Sequence, residues 1–346
     1  MEYFKFLYSS PPSLQINLTS NGHKSYKYIT KEKNINEYPT FYDNDEISGN
    51  IELKLNNNKS LIYEYISINL YGILTINSSK KKISTEIYKE SQELSTKKTP
   101  DIITNEISKF SFVFSPHIKP YETYIGTLYQ IRYYIKAVIK TSNTNTPPLI
   151  EDKIEITCLK PVKKILCDEI YLNQNIKEIN IGVENVIHVK INLMKTKFFL
   201  DDVIVGKIKI VKSEIELNNI KLVIKKEEKF FQLNDILVHN EDLSKYEIAE
   251  GFIEQGDELY FKYYLKNIKN LTPNYDYKDE NDKNKMNVKY FLCFCFNDEQ
   301  GYEFFKHIEI DIYRMNISDM DIKEKNKDFI SIKQMFKDEK KIINSF

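Results

Sequence analysis

Residues 45–53 read Asp45-Glu46-Ile47-Ser48-Gly49-Asn50-Ile51-Glu52-Leu53, and residues 202–210 read Asp202-Val203-Ile204-Val205-Gly206-Lys207-Ile208-Lys209-Ile210. In each, an acid is followed at alternate positions by an apolar residue, a glycine and two more apolar residues, so an extended chain would carry them on one face. The first run continues to Leu55 and sets Glu46, Ser48, Asn50, Glu52 and Lys54 on the opposite face, the pattern of a strand buried on one side. A second echo follows, since Ile131-Arg132-Tyr133-Tyr134-Ile135 matches Val288-Lys289-Tyr290-Phe291-Leu292. Gly49 and Tyr133 are 84 residues apart, and so are Gly206 and Tyr290. The spacing predicts two copies of one all-β domain.

The rest of the chain agrees with that class. Period-two runs recur at Ile66–Leu70, Phe110–Phe114, Ile131–Ile139, Ile154–Ile156, Val186–Leu193, Ile215–Ile224, Leu259–Leu265 and Val288–Phe296. Turn-forming clusters such as Asn56-Asn57-Asn58 and Ser115-Pro116-His117 separate them. The apolar content is carried by Ile, Leu, Tyr, Phe and Val, with no Trp and only nine Gly, as suits half-buried pleated surfaces. A length of 346 residues is enough for two sandwich-sized cores. The predicted organisation is an N-terminal sandwich over 1–160, a linker over 161–178, a C-terminal sandwich over 179–315 and a charged, flexible tail over 316–346. Within the tail, Phe329, Ile332, Met335 and Phe336 have the spacing of one face of a short helix.

Fifty basic residues balance fifty acidic ones, which argues against nucleic acid or anionic lipid as a direct partner and for protein partners. Four cysteines are too few for a disulfide framework; Cys293 and Cys295 share one face of a strand and read as reduced core thiols. The N-terminus lacks the pattern of a secretory leader and no run is apolar enough to span a membrane, so a cytoplasmic protein is expected, and two Asn-x-Thr matches carry no weight. Phosphate-loop, nucleophile-elbow, His-Glu-x-x-His and Cys-x-x-Cys patterns do not occur, the five histidines are scattered, and no cofactor, metal or catalytic residue is expected. Asp201-Asp202 and Glu227-Glu228 read as solvated carboxylates, with Asp202 opening a strand. Lys80-Lys81-Lys82 and Lys225-Lys226 would at most assist a membrane-bound partner.

Several phrases in collinear order resemble the vacuolar protein sorting-associated protein 26 family. They are Phe41-Tyr42-Asp43 with Ser48-Gly49; Lys119-Pro120-Tyr121-Glu122-Thr123-Tyr124-Ile125-Gly126 with Ile131-Arg132-Tyr133; and Leu200 to Lys207. Further matches are Lys245-Tyr246-Glu247-Ile248, Leu271-Thr272-Pro273, Val288 to Leu292 and Phe304-Phe305-Lys306, so the resemblance covers residues 38 to 314. It implies two tandem arrestin-like antiparallel β-sandwich domains acting as a non-enzymatic subunit of the endosomal retromer coat. Such a subunit binds the end of a large α-solenoid subunit, which in turn holds a metallophosphoesterase-like subunit.

The resemblance assigns partner contact to a loop carrying Tyr246, Glu247 and Ile248, with Ala249 where the family usually has a bulkier apolar residue, often Met. It also assigns Phe305 and Lys306 to a pocket for cargo tails shared with a sorting nexin, although adjacent strand residues face opposite sides. Membrane association would then be indirect, on endosomes. Residues 80–109 and 159–178 depart from the family pattern and are read as loops. The alternatives left open are a related retriever-type subunit, an arrestin-like adaptor acting alone, and, in a different class, a β-sandwich enzyme or lectin.

Overall fold

Alternation becomes pairing in the computed structural model of the chain, which describes residues 11–19, 23–29, 35–55, 60–77, 82–95, 101–142, 148–163, 166, 170, 176–183, 186–232, 235–278 and 284–315. The chain divides into two compact units, Met1–Lys160 and Pro161–Phe346. The tail positions 316–346, including Phe329, Ile332, Met335 and Phe336, lie outside the described residues, as do Lys80 and Lys81.

In the first unit the strands are β1 (Ser13–Leu18), β2 (His23–Ile29), β3 (Ile35–Tyr42), β4 (Ile47–Lys54), β5 (Leu61–Asn77), β6 (Lys82–Glu93), β7 (Asp101–Ile103), β8 (Ile107–Phe114), β9 (Tyr124–Ile125), β10 (Tyr129–Thr141) and β11 (Leu149–Leu159). They form a small sheet, β1-β4-β8, and a large one, β2-β3-β11-β10-β5-β6, with β7 on β5 and β9 on β10. Ile47, Ile51 and Leu53 of β4 point inward with Ile131, Tyr133 and Ile135 of β10, and all are fully buried, so the apolar stripe of the echo is the stripe of the core. Asp152 on β11 accepts a hydrogen bond from the Ile16 N–H at 2.7 Å, tying one sheet to the other.

The second unit repeats the plan with β12 (Lys177–Val183), β13 (Ile187–Leu193), β14 (Lys197–Phe199), β15 (Val203–Ser213), β16 (Leu217–Gln232), β17 (Asp235–Ile253), β18 (Glu258–Tyr264), β19 (Tyr275–Lys278), β20 (Asn284–Asp298) and β21 (Glu303–Tyr313). Its sheets run β12-β13-β15-β18 and β14-β21-β20-β16-β17, with β19 on β20. Phe261 of the small sheet packs edge-on against Phe294 of the large one, ring centroids 5.7 Å apart. Among the described residues, pairing is antiparallel except for two short parallel pairs, β3 with β11 and β14 with β21.

Those two exceptions occupy the same place in each unit. The order β3-β11-β10-β5-β6 corresponds strand for strand to β14-β21-β20-β16-β17, and β1-β4-β8 to β13-β15-β18. The echo residues also do the same work twice. Asp45 Oδ2 accepts from the Tyr42 N–H at 2.7 Å, and Asp202 Oδ2 accepts from the Phe199 N–H at 2.8 Å, each fixing the turn that feeds its strand. Gly49 faces Phe112 across β4 and β8, and Gly206 faces Phe261 across β15 and β18. A Cβ on either glycine would lie 2.8 Å or 2.3 Å from the ring's Cζ, so absence of a side chain lets the ring lie flat on the strand. The buried Tyr133 hydroxyl donates to the Tyr121 carbonyl at 2.5 Å, while the Tyr290 hydroxyl is bound by Thr272 at 2.8 Å, each tyrosine pinning the segment that precedes the short strand, β9 or β19, paired with its own.

Three expectations need correction. Residues 80–109, read as loop, contain β6, β7 and the start of β8. Val162, Leu166 and Ile170, within the stretch read as linker, pack on Phe199, Tyr313 and Met315. Glu228, read as a solvated carboxylate, and Lys226, read as at most an aid to a membrane-bound partner, are 0% and 5% exposed and form an ion pair of 2.8 Å, because β16 alternates through them and turns both inward. Asp202 is likewise not solvated: it is buried and accepts from Lys195 at 2.6 Å.

Candidate functional site

The residues assigned to partner contact lie on β17, the last strand of the large sheet, and not on a loop. What sets them apart is a register break. Lys221 pairs with Glu247 and the next residue, Ile220, pairs with Ala249, which leaves Ile248 opposite nothing in a β-bulge. Two further shifts along the same strand, at Ile224/Lys225 and Leu217/Asn219, repeat the device. Bulges bend a strand and re-aim its side chains, and they also keep a long edge from templating random pairing. Tyr246 packs its ring on Tyr263 of β18 at 5.3 Å, and the hydroxyl of Ser244 meets the same tyrosine. Glu247 accepts from Asn219 and lies 4.0 Å from Lys221. Ile248 thus follows two anchored residues and is itself partly exposed, while Glu247 and Glu250 are exposed.

Phe305 and Lys306 lie on β21, three strands away in the same sheet, and the pleat separates them. Phe304 sits opposite Phe296 on the inner side; Phe305 faces outward, opposite Cys295, and is 61% exposed. Lys306 is exposed on the side opposite to Phe305, so the two do not act on one patch.

The register brings Phe305 and Glu247 into a single row on the outer face: Phe305 opposite Cys295, Cys295 opposite Lys221, Lys221 opposite Glu247. Three strand spacings put the ends of that row roughly 14 Å apart. The next row is His307, Cys293, Val223 and Lys245. His307 packs on Phe305 at 5.3 Å and on Phe291 at 6.2 Å, extending the aromatic end of the face. Burial, and then the Lys225 ammonium, hold the His307 imidazole below its ordinary range, with Asp242 opposing. Between the aromatic end and the bulged edge lies a depression of about 350 Å³, lined among others by Lys221, Tyr246, Glu247, Cys295, Asn297 and Glu303.

Cys293 and Cys295, read as core thiols, are buried at 2% and 6% exposure, but on this outer face with Val223 and not between the sheets. Alternation explains it: Leu292, Phe294 and Phe296 take the inner face of β20. Sequence reasoning missed Lys221 and Val223 as members of the face, because their place depends on which strands flank β20. His188, by contrast, is a surface residue, 3.2 Å from the Asn180 side-chain oxygen. Among the described residues no group of three or more His, Cys, Asp or Glu side chains is placed to hold a metal ion, and no helix is long and apolar enough to cross a membrane.

Two duplicated β-sandwich units, one carrying a bulged sheet edge and an aromatic outer face, define a two-domain protein of the arrestin-like class. The family model for vacuolar protein sorting-associated protein 26 matches residues 9–301, and the chain belongs to that family. Vacuolar protein sorting-associated protein 26 of Plasmodium falciparum (isolate 3D7) is 27% identical over 309 residues, 89% of this chain and 97% of the relative. The Dictyostelium discoideum protein of the same name is 25% identical over 320 residues, 92% and 86% of the two chains. Vacuolar protein sorting-associated protein 26B of Homo sapiens is 27% identical over 315 residues, 91% and 88%. The chain is thus a protein-sorting component.

Proposed function

We propose that the chain is the small, arrestin-like subunit of a retromer-type coat, a non-enzymatic adaptor that works on the cytoplasmic side of endosomal membranes in retrograde transport. It binds a large α-solenoid subunit through the bulged stretch Tyr246 to Ala249, and through that subunit joins a metallophosphoesterase-like subunit. Sorting nexins and cargo tails engage the aromatic end of the same face at Phe305, and membrane association follows from these partners. The observation that carries the reading is the placement of the partly exposed Ile248 in a bulge on a sheet edge, directly after the anchored side chains of Tyr246 and Glu247. Burying such a side chain against a partner contributes about 1.5–3 kcal/mol, and an aspartate there would add the cost of a desolvated charge.

The test is recovery of partners from cell extract by tagged full-length chain and its Ile248→Asp variant, with circular dichroism verifying that both are folded. Wild type is expected to recover a large helical-repeat protein with a phosphoesterase-like companion, and the variant to lose both. Equal recovery by the two chains would remove Ile248 from the interface. Recovery of neither partner by wild type would overturn the adaptor assignment.

A further inference from the structure

The partner reading makes no use of the two thiols beneath the same face. Cys293 and Cys295 stand on one side of β20 with their sulfurs 3.6 Å apart, in hydrogen-bond contact. Residues two apart on a strand have Cα atoms separated by roughly 6.6 Å, at the upper end of the span of about 4.4–6.8 Å that a disulfide bridges. Closing the bond requires the sulfurs to approach to about 2.05 Å, a movement of side-chain torsions and a slight shortening of the strand. We propose that Cys293 and Cys295 form a dithiol modification site, which low-molecular-weight disulfides convert reversibly to an intrastrand disulfide.

Access favours this pair over the other thiols. No second sheet covers them: Cys295 forms part of the wall of the depression, and the side chains around it include the long, flexible Lys221, Lys245 and Glu303. A small disulfide entering the depression meets Cys295 at its wall, and the Cys293 sulfur lies 3.6 Å from the Cys295 sulfur, so motion of these side chains brings the attacking thiol within reach. Cys158 is as deeply buried as Cys293, and there burial pushes the thiol far above the ordinary range. Cys167 lies outside the described residues. Within the pair, the hydrogen bond from Cys295 and then the nearby Lys225 ammonium favour the thiolate of Cys293, while Cys295 keeps its proton. The Cys293 thiolate attacks one sulfur of the small disulfide, whose S–S bond breaks and releases one thiolate. Cys295 then gives up its proton and attacks the Cys293 sulfur of the mixed disulfide, expelling the second thiolate. The two protein thiols lose two electrons, and the two released thiolates carry them and take up the protons.

The site stands independently of the adaptor reading, yet closure would be felt on the partner face. Phe305 is directly opposite Cys295 and His307 directly opposite Cys293, so buckling β20 between them shifts the aromatic end of the face.

The test exposes the pre-reduced, folded full-length chain to graded ratios of reduced and oxidised glutathione, quenches with acid, alkylates in denaturant and maps thiols by mass spectrometry. The expected product has two fewer alkylated thiols and no glutathione adduct, with the bridge confined to the peptide holding Cys293 and Cys295. Its yield should follow the glutathione ratio and return to zero on reduction. In Cys295→Ser the reaction should stop at a mixed disulfide on Cys293 or not begin. Unchanged alkylation across all ratios, glutathionylation of wild type that goes no further, a bridge to Cys158 or Cys167, or loss of two thiols in Cys295→Ser would each overturn the proposal.

Discussion

Gly206→Ala tests the duplicated joint at its tightest point. An added Cβ would lie 2.3 Å from Phe261 Cζ, 2.6 Å from its Cε1 and 3.1 Å from the Asn192 carbonyl oxygen. Carbon atoms in contact prefer about 3.5–4.0 Å, so the ring must withdraw by more than 1 Å, roughly the width of the clash. It has nowhere to go, because Phe261 is 2% exposed and locked edge-on against Phe294. Overpacking of this kind costs about 1–3 kcal/mol, and the rigidity of the site places Gly206→Ala at about 3 kcal/mol. For a unit of this size that corresponds to a fall in Tm of roughly 6–12 °C. Peptide-level hydrogen exchange reads the two units separately: protection over β15 should fall while β4 is unaffected. Phe261→Leu removes the atoms in the way, so the double variant should be more stable than the sum of the two losses predicts, by about 1 kcal/mol or more. A loss below about 0.5 kcal/mol in Gly206→Ala, or strict additivity, would refute the packing argument. Gly49→Ala makes the contrast, since its Cβ meets the Asn17 backbone oxygen at 2.4 Å; trimming Phe112 to Leu should not rescue it.

Asp202→Ala should cost about 3 kcal/mol, because it leaves the half-buried Lys195 ammonium without its carboxylate and the Phe199 N–H without its acceptor, whereas Asp45→Ala loses a turn-closing hydrogen bond worth about 1.5 kcal/mol; denaturant titration of each variant reads the difference. His307 should titrate by NMR below the ordinary imidazole value of 6.5, and its contribution to stability, present above that value, should fade as pH drops through its folded midpoint. Lys225→Gln should raise that midpoint only in part, burial being the larger cause, and full restoration would show the attribution to be wrong. Ala249→Met enlarges the apolar edge beside Ile248 and should tighten binding of the solenoid partner by roughly tenfold, about 1.4 kcal/mol, measured by calorimetry.

The core strands were legible because the opposite sheet covers one face of each. In β4, β10, β13 and β15 buried residues alternate with half-exposed ones along almost the whole length, and each was read from period two alone. The edge strands β6 and β17 were not read, and they are counterparts in the two units. Neither is fully covered on either face, so selection for burial leaves no alternation in Lys82–Glu93 or in Asp235–Ile253. β17 also carries three register shifts, each of which resets the phase of whatever pattern remains. The candidate edge was therefore invisible to periodicity for the reason that makes it usable: it is exposed, polar and bulged.

The family phrases separate by what they do in the fold. Lys119 to Thr123 is fastened to the end of β11, where Lys160 Nζ donates to the Lys119 and Pro120 carbonyls and the Lys160 N–H to Glu122. Phe41 to Asp43 and Leu200 to Lys207 hold the turn and the close-approach glycine of each unit, and Tyr290 fastens Thr272. Such joints tolerate few alternatives, since a wrong residue leaves a buried polar group unpaired or a ring displaced. A bulged residue outside the ladder, such as Ile248, escapes the constraint of cross-strand pairing. Ala249, the departure from the family pattern, lies in the bulge and not in a joint, and its partner across the ladder is Ile220, a residue buried on the inner face. Opposed residues of a ladder share a face, so the Ala249 methyl is turned to the side of Ile220 and a larger residue there must fit the rim of the sandwich as well as the partner; Ile248, which has no ladder partner, is the position of this edge whose identity the fold leaves open.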